Sequence, residues 1–242
     1  MHDDDDVLSP VLGRRQLLHG ATALSILGLA RLARRRPVLT TTGDPADELD
    51  VSDLVDERAA QTMCVLTPSA IEGPYYLNLN LVRSDITEGY AGIKTRVNLH
   101  VVQASDCSPI PNARVDLWHN NAPGAYSGFA NQGTQGLTFL RGVQFTDASG
   151  TAFFDSIYPG WYAGRTTHMH LKVQPSGGTI LTTQLYFPTG LSRRVYRIPP
   201  YLAHGQNPTN NGSDPFFLPE TVMSVLGVVG GRLQLDLVLG VA

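Results

Sequence analysis

Two histidines one residue apart close the segment Gly160-Trp161-Tyr162-Ala163-Gly164-Arg165-Thr166-Thr167-His168-Met169-His170. On an extended strand alternate side chains share a face. Both imidazoles can therefore converge on one ion while Met169 and Leu171 turn to the opposite face. The same pair also occurs as surface or hydrogen-bonded histidines, so the neighbouring residues matter. Tyr162 follows a turn marked by Pro159-Gly160, and Tyr126 ends a second glycine-marked loop, Ala122-Pro123-Gly124-Ala125-Tyr126. Carboxylates are scarce beside either loop, which argues against a two-histidine, one-carboxylate ferrous site. Cysteine ligands are absent there, which argues against structural zinc. Phenol and imidazole remain. A phenolate is a hard anionic oxygen, and a trivalent ion such as Fe(III) can drive off a phenol proton whose ordinary pKa is about 10. Catalase haem shows that tyrosine can ligate ferric iron.

The elements that must position these residues read as strands. Alternating apolar and polar runs predict strands over 96–102, 113–119, 142–146, 152–157, 167–173, 182–187 and 232–239. The turns Asp147-Ala148-Ser149-Gly150 and Pro175-Ser176-Gly177-Gly178 predict hairpins between their flanking strands. With 24 Gly, 16 Pro and only 16% charged residues in 242, the composition suits an all-β sandwich of short mixed or antiparallel strands with long loops. A net charge of −3 gives no footprint for nucleic acid. His119 reads as structural or at a pocket rim, Trp118 as core packing, and His100 and His204 as structural.

The N-terminus differs from the rest. Arg14-Arg15 precedes a small apolar run over 20–30, a pairing that resembles a twin-arginine export signal. The run is shorter than the roughly 20 residues a membrane span needs. Residues 1–36 are expected to be a flexible leader, 37–62 a linker with at most one short helix, and 63–242 the functional domain. That predicts a secreted or extracytoplasmic protein without a stable membrane span. Cys64 and Cys107 would then be free to form one bridge, whereas in a cytosol they would stay thiols.

Several segments together resemble the intradiol ring-cleaving dioxygenases, the relatives of protocatechuate 3,4-dioxygenase and catechol 1,2-dioxygenase. They are Trp118…Gly124-Ala125-Tyr126, Pro159-Gly160-Trp161-Tyr162, Arg165-Thr166-Thr167-His168-Met169-His170 and Thr183-Gln184-Leu185-Tyr186-Phe187. Cys64-Val65-Leu66-Thr67-Pro68, Glu72-Gly73-Pro74-Tyr75-Tyr76 and Arg83-Ser84-Asp85-Ile86 resemble the family's exported branch. The resemblance implies non-haem Fe(III) held by Tyr126, Tyr162, His168 and His170 between the sheets and loops of a β-sandwich. It implies that Tyr162 is the displaceable ligand, and that Arg165 and Gln184 stand beside a catechol-type substrate that reacts with O2. The product is then a muconate-type dicarboxylate. Asn120-Asn121 stands where exported relatives often carry a further cysteine, so the resemblance leaves Cys64–Cys107 as the expected disulfide. A competing reading is a non-catalytic secreted sandwich that binds carbohydrate or protein on the same scaffold. Oligomeric state is not legible in the sequence.

Overall fold

The computed structural model describes residues 44–55 and 64–242. They hold strands β1 (Lys94–Gln103), β2 (Arg114–Trp118), β3 (Arg141–Phe145), β4 (Thr151–Ile157), β5 (His168–Gln174), β6 (Leu181–Tyr186), β7 (Ser224–Val229) and β8 (Arg232–Val241). A short helix, α1 (Thr189–Val195), follows β6. Two four-stranded sheets result, ordered β4-β1-β8-β7 and β3-β2-β5-β6. Neighbouring strands run antiparallel except β1 and β8, which are parallel. The protein is thus an all-β sandwich.

Strand alternation builds the core. Val97, Leu99 and Val101 on β1 are fully buried, as are Leu233, Leu235 and Leu239 on β8. They join Val115, Leu117, Met169, Leu171, Val173 and Leu185 of the other sheet in one apolar cluster. Each such side chain removed from water contributes about 1.5–3 kcal/mol before its entropy cost. This filled interior corrects one expectation. His168 and His170 cannot face the space between the sheets, because Met169 and Leu171 do. The histidines stand on the outer face of the second sheet, and loops roof them over.

Other differences have local causes. Pro175–Gly178 does join paired strands, β5 and β6, but Asp147–Gly150 does not form a hairpin. β3 pairs with β2 and β4 with β1, so that turn carries the chain from one sheet to the other. β7 escapes the alternation pattern, since Ser224-Val225-Leu226-Gly227-Val228-Val229 lacks it. It is an edge strand whose register shifts between Val225 and Gly227, with Gly227 at φ +116°. α1 is too short to show a helical period.

The expected linker is partly drawn into the sandwich. Ala46, Leu49 and Val51 are buried, Val55 bridges to Val225, and Asp53 pairs with Arg194. The leader over 1–36, with its twin arginine, lies outside the described residues. Among the described residues no helix is long and apolar enough to cross a membrane. Cys64 and Cys107 form a disulfide with a Cα–Cα distance of 5.4 Å. It anchors a segment that continues by backbone bonds from Thr67 to Gly240 and from Ala70 to Thr182, and so reaches the outer face of β5 and β6.

Candidate metal centre

The ladder dictates who meets whom on that face. His170 lies opposite Gln184 on β6 and Trp118 on β2, and His168 lies opposite Tyr186. Directly opposed residues share a face. The His168 Nδ1–H donates to Thr166 O at 2.7 Å, which leaves the Nε2 lone pair facing His170 Nε2 at 3.2 Å and Tyr162 Oη at 3.0 Å. Trp118 stacks on the His170 ring, with centroids 5.1 Å apart and planes within 9°. It packs against the histidine itself rather than in the inter-sheet core. Gly73, at φ +75°, roofs the same ring: a Cβ there would stand 3.1 Å from His170 Cε1.

Both tyrosines arrive on loops that touch backbone to backbone. Gly124 N donates to Asn121 O and Ala125 N to the Asn121 side chain, which closes the turn before Tyr126. Any Cβ at Gly124 would stand 2.3 Å from Trp161 O, and one at Gly160 would stand 2.3 Å from Ala122 O. Only glycine permits this approach. Thr134 Oγ1 then caps Tyr126 O at 2.6 Å, and Tyr75 stacks on the Tyr126 ring at 4.3 Å. Tyr162 remains half-buried at the rim, next to the exposed Ala163 and Gly164.

Four donors from three segments therefore converge, and their electrostatics suit a cation. Burial holds the His168 pKa down to about 4, and it holds His170 well below the ordinary value, so both imidazoles are neutral at pH 7. Burial raises the phenol pKa of Tyr126 well above 10 and raises that of Tyr162 as well. The Tyr126 Oη is buried and forms no hydrogen bond of ordinary geometry, although the Tyr162 phenol is near enough to affect its ionisation. An orphaned buried hydroxyl costs about 1–3 kcal/mol. A bound cation would remove that cost. No three His, Cys, Asp or Glu side chains converge among the described residues, so a metal here depends on the phenols.

Arg165 stands on the same rim. Its Nε donates to both oxygens of the buried Asp214, at 3.2 and 2.9 Å. Its Nη2 donates to Gln184 Oε1 and, at 3.3 Å, to Tyr186 Oη. Gln184 is fixed in turn by Nε2 donating to Ile71 O at 3.1 Å. The six sequence-derived site residues thus form one connected group.

The chain matches the dioxygenase family over residues 71–191, half of its length. The chain belongs to the intradiol dioxygenase family. An intradiol ring-cleavage dioxygenase from Tetranychus urticae superposes with a TM-score of 0.69 at 30% identity, over 74% of this chain and 95% of that one. The dioxygenase domain of a dioxygenase carbohydrate-binding protein fusion from Streptomyces sp. SirexAA-E superposes at 0.56 with 34% identity, over 73% and 99%. Catechol 1,2-dioxygenase of Acinetobacter baylyi is 30% identical over 152 residues, 53% of this chain and 49% of that protein. The chain spans about half the length of the curated relatives it matches.

Within this family member the structure adds residues that sequence reasoning missed. Asp214 sits 49 residues from Arg165 and holds it. Arg141, 4% exposed, ties the Tyr126 loop to the roof segment: Nε donates to Ser127 Oγ, Nη2 to Ser127 O and Nη1 to Tyr75 O. Burial lowers its pKa to about 10. The available signal was its position opposite Trp118 in the β2–β3 ladder, visible only once those strands are registered. His119, His100 and His204 stay outside the donor set. His119 bonds Ser156, His100 bonds Thr151 and Asp236, and His204 packs at a tilt against the Trp161 ring and faces its carbonyl.

Proposed function

We propose that this protein is a non-haem Fe(III) intradiol dioxygenase that opens catechol-type rings between their two hydroxyl-bearing carbons to muconate-type dicarboxylates. The observation that carries the reading is the convergence of two neutral imidazoles and two phenols, one with an orphaned Oη, beside a guanidinium. Tyr126, Tyr162, His168 and His170 would hold the metal. When bound, ferric iron supplies the electron-accepting centre on which a chelated catechol becomes reactive toward O2.

The chain's own residues do the rest. Tyr162, at the accessible rim, would be the displaceable donor, and as a phenolate it would take a proton at Oη from an incoming catechol hydroxyl. Tyr126 is buried beneath Tyr75, so His168, His170 and Tyr126 are the fixed donors. Arg165 carries positive charge next to the site, and its bonds to Asp214 and Gln184 hold it before substrate arrives, which favours anionic character developing on the ring oxygens. Tyr75 and Phe129, 5.2 Å apart edge to face, form an aromatic wall beside Tyr126 and Tyr162.

We also infer an extracytoplasmic location, supported by the Cys64–Cys107 disulfide and the twin-arginine leader. The test of function combines a visible spectrum of the iron-loaded protein with O2 uptake on catechol. A tyrosinate charge-transfer colour that shifts with catechol, and one O2 consumed per ring opened, are expected. A colourless protein that takes up no O2 rejects the reading.

A further inference from the structure

Behind the Arg165 loop, bordered by Thr166 and Thr167 but by none of the four metal donors, lies a cavity of about 410 Å³. That is within the range of small-ligand sites. Its lining is hydroxyl, amide and guanidinium, including Thr167, Tyr196, Asn207, Thr209, Arg193 and Arg197, and it includes no acidic residue. Arg193 and Arg197 lie one turn apart at the end of α1, both exposed, and neither side chain is in an ion pair or hydrogen bond among the described residues. The contrast with their neighbour is informative: Arg194, on the same turn, is held by both oxygens of Asp53. Arg197 also borders a groove that holds Glu48, Asp50 and Asp53, but on the cavity side no carboxylate competes, and the two guanidiniums there are a pair of forks for two carboxylates. The rest of the lining is set by internal bonds. Asn207 Oδ1 accepts from Thr209 N, Asn207 Nδ2 donates to Arg165 O, and Tyr196 Oη meets Thr167 Oγ1 on the buried floor.

We propose that this cavity binds a small dicarboxylate, with one carboxylate on Arg193, the other on Arg197, and the body of the molecule over Thr167 and Asn207. The identification of that ligand with the reaction's own product rests on the dioxygenase reading; the choice of a dicarboxylate follows from the paired guanidiniums.

The test is calorimetric titration of the full-length protein with cis,cis-muconate and, separately, with inorganic phosphate. The double substitution Arg193→Gln/Arg197→Gln should weaken muconate binding by at least about tenfold, and Arg193→Lys/Arg197→Lys should restore part of it. Both variants should bind iron normally, because neither residue touches the metal donors. Muconate binding unchanged in the Gln pair, or phosphate binding as tightly as muconate, overturns the proposal. Muconate binding through these arginines in a protein that takes up no O2 with catechol keeps the cavity's role and removes only the link to the product.

Discussion

Asp214→Asn separates a buried ion pair from its surface counterpart within one molecule. The Asp214 side chain is fully buried and accepts from Arg165 Nε, Thr166 N at 2.8 Å and Phe216 N at 2.8 Å. Those donors approach both oxygens, so an amide must turn its NH2 toward at least one of them. That leaves a buried donor unsatisfied, at about 1–3 kcal/mol. It also leaves Arg165, whose side chain is 12% exposed, without a counterion. Removing one partner of a buried pair typically costs about 3–5 kcal/mol in all. With an m-value of roughly 2–3 kcal/mol/M in urea, the midpoint should fall by about 1.5 M. Asp53→Asn is the control. Asp53 also meets both terminal nitrogens of an arginine, Arg194, but at the surface, and its midpoint should not move measurably. Equal shifts for the two variants, or a fall of less than about 0.4 M for Asp214→Asn, would refute the burial argument. Because Asp214 also orients Arg165, turnover should fall in this variant while iron binding persists.

Three further outcomes are expected. Tyr126→Phe removes an orphaned buried hydroxyl, so the iron-free protein should gain up to about 1–3 kcal/mol in stability, while the tyrosinate colour on iron addition should weaken and shift because only Tyr162 remains; loss of stability would show that the hydroxyl is satisfied after all. Cys107→Ser opens a bridge between residues separated by 43 positions, for which chain entropy predicts a loss of about 4 kcal/mol, measurable by urea denaturation with and without reductant. His100 has its pKa raised by the hydrogen bond to Asp236. Its contribution is complete below the unfolded value of about 6.5 and is lost as pH rises through the raised folded value. A third of the ring is exposed, so the effect should stay below about 1 kcal/mol, and His100→Gln should flatten that part of the urea-midpoint profile.

How much of this was legible depends on how each residue is positioned. His168, His170, Gln184 and Trp118 lie on strands, where period two assigns faces and the ladder assigns neighbours, so the sequence pattern reached them. Tyr126 and Tyr162 were legible because the glycines beside them announce tight turns, and the close approach at Gly124 and Gly160 explains why those glycines are there. Asp214, Tyr75 and Arg141 were not. The contacts of Asp214 with Arg165, of Tyr75 with Tyr126 and of Arg141 with Tyr75 span 49 to 66 residues, and each has a loop residue at one end or both, where no periodicity ties one position to another.

The face assignment shows the limit most clearly. Alternation in His168-Met169-His170-Leu171 says that one face is polar and the other apolar, and that much was correct. It does not say whether the polar face is wet. All four residues are buried, because the segment led in by Cys64–Cys107 and the Tyr126 loop close over the histidines. A polar strand face under a roof loses its water, and that loss holds the imidazoles neutral and the phenols protonated. The chemistry of the site therefore comes as much from the loops that cover the sheet as from the strand that carries the histidines.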